Sequence, residues 1–160
     1  MPEDPHASLR QHLLELLTGG HAHTTFETAI KGLAPKLRGT KPASFPHSAW
    51  MVVEHLRIAQ WDILEFSRND KHESPAWPEG YWPESEAPAS DQAWTNSVEQ
   101  FESDLKAMKD LVKNPKTDLF VKIPWGDGQT ILREALLVAD HNSYHVAQIV
   151  DIRRLLGAWE

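Results

Sequence analysis

Two histidines near the C-terminus have the type and spacing of paired metal ligands. His141 and His145 are four residues apart in a segment with helical periodicity, so their side chains lie about 40° apart on one helix face. The same face carries Glu134, Leu137, Val138, Gln148, Ile149 and Ile152. This mainly apolar pattern directs both imidazoles towards the core, where each needs a bonding partner. An H-x-x-x-H spacing alone is a weak signal, but a core-facing pair indicates convergent ligands.

His55 is the third candidate ligand. It lies at the edge of an apolar arc on another predicted helix, formed by Met51, Val52, Leu56, Ala59, Ile63 and Phe66. A third inward imidazole from a facing helix would complete a three-histidine site with an open coordination position, as in catalytic zinc sites. The competing interpretation is a structural histidine at the core edge, and spacing alone leaves both open. His21 and His23 form an alternative H-x-H metal pair.

Several polar residues can line such a pocket, although none is assigned a catalytic role. Asp62 lies two turns beyond His55, and Glu134 lies two turns before His141. Gln148, one turn beyond His145, can orient a ligand or fill a polar hole. Asp140 lies about 100° off the inward face, which suits a hydrogen bond to a ligand or a surface position.

Two aromatic segments have competing interpretations. Trp125, just before the last predicted helix, can cap the pocket as a lid or pack as a hydrophobic staple. Residues 77–83 are aromatic and rich in proline. They can bind a peptide, but we favour aromatic side chains that clamp this segment onto the helices.

The composition excludes several other chemistries. The chain has 160 residues, 41% of them hydrophobic and 24% charged, which is ordinary for a globular domain. It has no cysteine, which excludes a cysteine nucleophile, iron–sulfur clusters and thiolate zinc sites. The net charge of −7 argues against nucleic acid as the main partner, because phosphate binding requires a basic surface.

The hydropathy pattern argues against a membrane protein. The longest uninterrupted apolar runs are five residues long, at 49–53 and 135–139, and are too short to span a bilayer. The first ten residues are acidic and contain no apolar signal core. We therefore expect a cytoplasmic protein.

Helical periodicity predicts four helical segments in one all-α domain over residues 1–160. The segments cover about residues 8–33, with a break at Gly19–Gly20, then 46–67, 90–113 and 129–157. Phe120–Ile123 is a short strand candidate. The proline-rich linker 69–89 can reach about 60 Å, whereas a 22-residue helix is about 33 Å long. The linker length favours a four-helix bundle with a long crossover between the second and third helices. It is also compatible with a simple up-down bundle.

At these residues the sequence resembles the DinB-like superfamily of metal-binding four-helix bundles. The similar segments are residues 47–56, 59–62 and 139–145, the last with the H-x-x-x-H pair. The resemblance implies an up-down-down-up bundle, frequent homodimers and a divalent metal, zinc or nickel, bound by His55, His141 and His145. Characterised members include bacillithiol- or mycothiol-dependent S-transferases and a mycothiol-dependent maleylpyruvate isomerase, and others are described as metal-dependent hydrolases.

Two functional hypotheses follow. In the first, the protein is a metal-dependent hydrolase or thiol S-transferase that acts on a small molecule. Three neutral imidazoles leave the metal its full double positive charge, which acidifies a bound water or thiol. In the second, the chain is a non-catalytic bundle that binds a small molecule or partner protein, with a structural metal or none. Metal analysis of untagged protein separates these two hypotheses.

A second apolar stripe on two of the predicted helices indicates a homodimer. On the second segment it comprises Trp50, Val53, Trp61 and Leu64, and on the last segment Leu132, Leu136, Ala139, Val146 and Val150. A helix in a monomeric bundle needs only one such stripe. We therefore expect a two-fold dimer in which Trp50 or Trp61 is buried. Light scattering that detects only monomers at micromolar concentration would contradict this, and a dimer that survives Trp50→Glu with Trp61→Glu would use another surface.

Overall fold

Helices form the fold across residues 5–159, which are the residues that the computed structural model describes. The elements are α1 (Ala7–Thr18), α2 (Phe26–Ile30), α3 (Pro35–Arg38), α4 (Ala49–Arg68), a 3-10 helix (Glu79–Tyr81), α5 (Asp91–Lys113) and α6 (Ile131–Leu155). The described residues contain no strand, and the expected strand at Phe120–Ile123 is reduced to one antiparallel bridge between Lys122 and Thr130. The predicted all-α class is therefore confirmed.

Residues 1–4 and 160 lie outside the described residues. Two predictions fall partly on them: the bounds of the predicted domain, and the acidic N-terminal segment. Between residues 5 and 159, no helix combines the length and the apolar character that a bilayer crossing requires.

The three longest helices, α4, α5 and α6, begin where a hydroxyl side chain accepts a backbone N–H of the first turn. Ser48 accepts from Met51 N, Ser90 from Ala93 N and Thr130 from Arg133 N, at 3.1–3.2 Å. These contacts satisfy donors that have no partner within the helix. The predicted starts of α4 and α6 are therefore slightly early, because the caps are Ser48 and Thr130. The predicted start of the third segment at residue 90 agrees with Ser90 as the cap of α5.

The first predicted helical segment is divided into shorter pieces. Gly19 and Gly20 have φ values of 73° and 85°, a left-handed conformation that ends α1 and that glycine adopts readily. A new helix, α2, starts at Phe26 with Thr25 as its cap, as the predicted break requires. It ends at Ile30, so the predicted continuation to Leu33 is wrong.

Helix α4 is the central element of the core. It packs against both α5 and α6, and α1 also packs against these two helices. Buried residues of α4 contribute to both apolar clusters: Trp50, Val52 and Leu56 to one, and Leu64 to the other. Because α4 lies between α5 and α6, its polar residues can contact both of these helices.

Most residues of the second apolar stripes are buried against other helices of the same chain. Trp50, Val53 and Leu64 are buried in the core clusters, and so are Ala139, Val146 and Val150 of α6. Trp50 packs towards Trp94 of α5, with ring centroids 6.5 Å apart. The expectation that Trp50 offers a surface for a second copy is therefore wrong. Trp61 stays half-buried and Leu136 exposed, and the dimer itself stays a prediction.

Arg153 ties the C-terminal part of α6 to two other segments. Its guanidinium donates to the carbonyl oxygens of Ala29, Lys31 and Ala158 at 2.6–2.9 Å. It also lies over the ring of Trp159, 5.0 Å from the centroid. One buried cation thereby supplies hydrogen bonds to carbonyls at the end of α2 and beyond α6.

We expect Arg153→Met to destabilise the fold by on the order of 3 kcal/mol, because buried carbonyls lose their donors. The neighbouring Arg154 is exposed and pairs with the exposed Asp151, so Arg154→Met is the matched control and should change the free energy of unfolding by no more than about 0.5 kcal/mol. Urea unfolding measures both differences. Equal effects of the two variants would contradict the assigned role of Arg153.

Candidate metal centre

Three imidazoles from two neighbouring helices converge at the wall of a cavity. Nε2 of His55 on α4 lies 3.0 Å from Nε2 of His141 and 3.1 Å from Nε2 of His145 on α6. Candidate ligand atoms of these three residues all lie within 4.8 Å of one another, so the group can hold a metal ion. His55 and His145 are buried and His141 is half-buried. The structure thus brings together the three histidines that the sequence singles out.

A buried amide chain fixes the relative position of the helices that carry the histidines. Gln60 of α4 donates through Nε2 to the carbonyl of Phe101 on α5, at 2.7 Å. Its Oε1 accepts from Nδ2 of Asn142 on α6, at 2.8 Å. Because Asn142 follows His141 directly, this contact aligns the histidines of α6 with α4. Sliding either helix would leave buried amide groups unpaired, which costs free energy.

Two hydrogen bonds determine which nitrogen of His55 and which nitrogen of His145 is free to bind a metal. Nδ1 of His55 donates to the carbonyl of Tyr81 at 2.8 Å, because a carbonyl can only accept. Nδ1 of His145 donates to Oε1 of Gln148 at 2.7 Å. In the neutral state, each of these rings then carries its lone pair on Nε2. Gln148 therefore orients the imidazole of His145, which is a candidate metal ligand. This agrees with the first of the two interpretations of Gln148.

The two lone pairs face each other at 3.1 Å, which is unfavourable unless a cation lies between them. Nitrogens bound at about 2.0–2.1 Å to one ion lie about 2.8–3.4 Å apart for ligand angles between about 90° and 109°. The observed separations match this range. Imidazole donors suit zinc, nickel, copper and iron. The residues present therefore fit a divalent transition-metal ion.

Trp82 of the crossover supports the ring of His55 by stacking. Their ring centroids lie 4.0 Å apart with an interplanar angle of 5°. His47 also stacks on Trp82, at 4.3 Å and 16°. These contacts hold the crossover against α4, as expected for aromatic residues that clamp this segment onto the helices. They also limit rotation of the His55 imidazole.

A second polar cluster joins the crossover to α4. Asp62 accepts the hydroxyl proton of Tyr81 at 2.6 Å and the Nε2–H of His72 at 2.7 Å. Burial, and then the hydrogen bond to Asp62, raise the pKa of Tyr81 to about 12, so its hydroxyl stays protonated and donates. Asp62 thereby holds the residue whose carbonyl orients His55. Spacing along the sequence gives no indication of Tyr81 or His72, because this contact forms only when the crossover folds back.

The histidines line a cavity of about 550 Å³. Its walls consist of His55, Ala59, Asp62, Ile63, Trp77, Tyr81, Trp82, Leu137, Asp140, His141, Tyr144 and His145. Asp62 and Asp140 are therefore lining residues. Glu134 is only 2% exposed and bonds to Arg133, so it is not a lining residue.

Two other candidates lie away from the cavity. Trp125 donates its indole N–H to the carbonyl of Phe66 at 2.7 Å and does not line the cavity, so the lid interpretation is wrong. Its role is to anchor the loop before α6 to the end of α4. His21 and His23 are exposed and belong to no group of three candidate ligands among residues 5–159.

Burial keeps the candidate ligands neutral. Loss of hydration lowers the pKa of His55 to about 4 and that of His141 to about 3, and the neighbouring imidazoles add to the lowering. Burial also lowers the pKa of His145. At neutral pH the rings are therefore uncharged, the form that binds metal ions.

These shifts predict a pH dependence of the metal-free protein. The unfolded chain takes up protons near pH 6.5, whereas folded His55 and His141 take them up only near pH 4 and 3. Stability from these groups is thus present above pH 6.5, falls progressively as the pH drops below 6.5, and is lost once the pH passes the folded values. His141→Leu removes one such group, so its urea midpoint should fall less between about pH 7.5 and 5 than that of the wild type. Equal falls would contradict this account.

Comparison with known proteins identifies the family. The family model of the DinB superfamily matches residues 20–149, which is more than half of the chain and includes His55, His141 and His145. No curated protein and no solved structure matches the sequence. On the extent of the family match, the chain belongs to the DinB superfamily.

Proposed function

We propose that this protein is a divalent-metal-dependent enzyme that acts on a small molecule by hydrolysis or thiol transfer. The metal ligands in this proposal are His55, His141 and His145. The observation that carries it is the pair of Nε2 lone pairs, on His55 and His145, directed at each other 3.1 Å apart at a cavity wall. A divalent cation removes this repulsion, and zinc and nickel both accept imidazole donors.

The open cavity supports catalysis over a purely structural metal. Structural zinc sites have four protein ligands and no free position, whereas catalytic sites have three and one open position. Here three imidazoles meet beside a cavity of about 550 Å³, a volume typical of small-molecule sites.

The chemistry that a bound ion supplies is Lewis-acid chemistry, which lowers the pKa of a water or thiol at the open position. The side chains around it have separate tasks. Tyr81 and Gln148 hold His55 and His145 through their Nδ1 atoms, and Trp82 covers one face of His55. We assign Asp62 as the proton acceptor, because its carboxylate lines the cavity and is held by Tyr81 and His72.

We also infer that residues 1–160 form one domain with an up-down-down-up order of α1, α4, α5 and α6. Early residues of α4 pair with early residues of α5, as Trp50 does with Trp94 and Glu54 with Ser97, which supports parallel helices. Against α6 the order reverses: His55 meets His145, whereas the end of α4 meets Trp125. In α1, Arg10 bonds to the carbonyl of Val112 near the end of α5, which supports an antiparallel pair.

We expect untagged protein to bind about one equivalent of zinc or nickel, measured by mass spectrometry of metals and by titration calorimetry. His145→Ala should weaken binding by at least about 100-fold, because it removes a direct ligand. His12→Ala is the matched control, since His12 is exposed and its side chain hydrogen-bonds to Glu15. Absence of metal binding in the wild type would refute the metal site.

Activity is the second readout of the same proposal. The metal-loaded protein should turn over a member of a panel of esters, amides and thiol–electrophile pairs, and the metal-free protein should not. At saturating metal, Asp62→Asn should lower kcat while the protein still binds about one equivalent of metal, because Asp62 does not belong to the ligand group. Equal turnover with and without metal would contradict the proposal.

A further inference from the structure

The mouth of the cavity carries three exposed side chains that the proposed reaction does not use. Trp77 is 76% exposed and Tyr144 is 65% exposed, which is unusual for aromatic residues of a folded domain. Asp140 is exposed beside them, and all three line the cavity. Asp140 and Tyr144 are four residues apart on α6, so they share one helix face.

The carboxylate of Asp140 is free to receive a ligand. Among residues 5–159, no hydrogen bond or ion pair involves it. By contrast, Asp62 deeper in the cavity already accepts from Tyr81 and His72. The mouth of the cavity therefore carries an unpaired negative charge as well as the two exposed aromatic side chains.

The charge pattern of the cavity disfavours an anionic ligand at this end. Its lining includes two aspartates and neither lysine nor arginine. The whole chain has a net charge of −7, which repels anions and attracts cations over distances within the Debye length. In the metal-free protein, positive charge in the bound molecule is therefore favoured both locally and globally.

We infer that the mouth formed by Trp77, Asp140 and Tyr144 binds an ammonium group, and that the substrate is an amine with an apolar body. The ring faces of tryptophan and tyrosine attract cations, and a carboxylate supplies the counter-charge. This inference rests on the proposed function, because it identifies the substrate class of the same cavity.

The inner wall suits the apolar body of such a molecule. Ala59, Ile63 and Leu137 line the cavity, and Trp82 adds an aromatic surface beside His55. An amine that enters with its apolar part inside keeps its charge at the exposed mouth. This placement avoids burying an ammonium group without a partner, which is strongly unfavourable.

Three probes with one aromatic body and different charges test the inference. They are 2-phenylethylamine, 2-phenylethanol and 3-phenylpropionate, titrated into the full-length chain and followed through its tryptophan indole N–H signals by NMR. In the metal-free protein, the amine should bind on the order of five- to tenfold more tightly than the alcohol, and the carboxylate most weakly. In the metal-loaded protein, the amine should keep its advantage over the alcohol.

Substitutions test which side chains cause the preference for the amine. Asp140→Asn should abolish the preference for the amine while affinity for the alcohol stays unchanged, and Asp140→Glu should retain the preference. Asp151→Asn is the matched control, because Asp151 is an exposed aspartate of the same helix away from the cavity. Trp77→Leu should also reduce the preference, since it removes a ring face.

The inference is overturned if the metal-free protein binds the carboxylate as tightly as the amine, or if Asp140→Asn keeps the wild-type preference. Metal titration of the same samples separates this failure from that of the proposed function. A protein that binds zinc without preferring the amine refutes only the substrate class. A protein that prefers the amine but binds no metal refutes the proposed enzyme and leaves the amine site standing.

Discussion

The facing lone pairs of His55 and His145 are the constraint around which the rest of the site is organised. Two neutral imidazoles with their free nitrogens 3.1 Å apart repel each other, and a shared cation makes the arrangement favourable. The surrounding contacts all act against rotation or separation of the rings. Tyr81 and Gln148 accept from the Nδ1 atoms, and Trp82 stacks on His55. The energy of folding thereby positions donors that would otherwise separate.

The crossover between α4 and α5 is as important for the site as the helices. It supplies the carbonyl of Tyr81, the ring of Trp82 and the imidazole of His72. Asp62 connects it to α4 by accepting from Tyr81 and His72. A substitution at Asp62 would therefore alter the orientation of Tyr81 and, through it, the orientation of His55. This effect is separate from any direct effect on a bound molecule.

The cavity is lined by two chemically different sets of side chains. Histidines with lowered pKa values form one set, and their neutral nitrogens favour a metal ion. The exposed rings of Trp77 and Tyr144 and the exposed carboxylate of Asp140 form the other. The two sets meet on α6, where the ring centroids of Tyr144 and His145 lie 4.9 Å apart. One bound molecule can therefore contact both sets.

The sequence by itself determined the features that depend on local periodicity. His141 and His145 share a face because four residues make about one helical turn, and Ser90 caps α5 because its hydroxyl reaches a nearby backbone N–H. The break after α1 follows from Gly19 and Gly20 in the same local way. Adding the family resemblance was enough to select His55 as the third member of the cluster.

Tertiary structure decided the features that depend on which segments meet. Trp50 and Val146 have the pattern of a second apolar stripe, but α5, α1 and α2 cover these faces within the same chain. Trp125 binds the end of α4 and leaves the cavity uncovered, and Tyr81 reaches His55 across 26 residues. Periodicity describes the faces of one helix and carries no information on the partner of each face. Only the packed chain places Tyr81, His72 and Asp62 together.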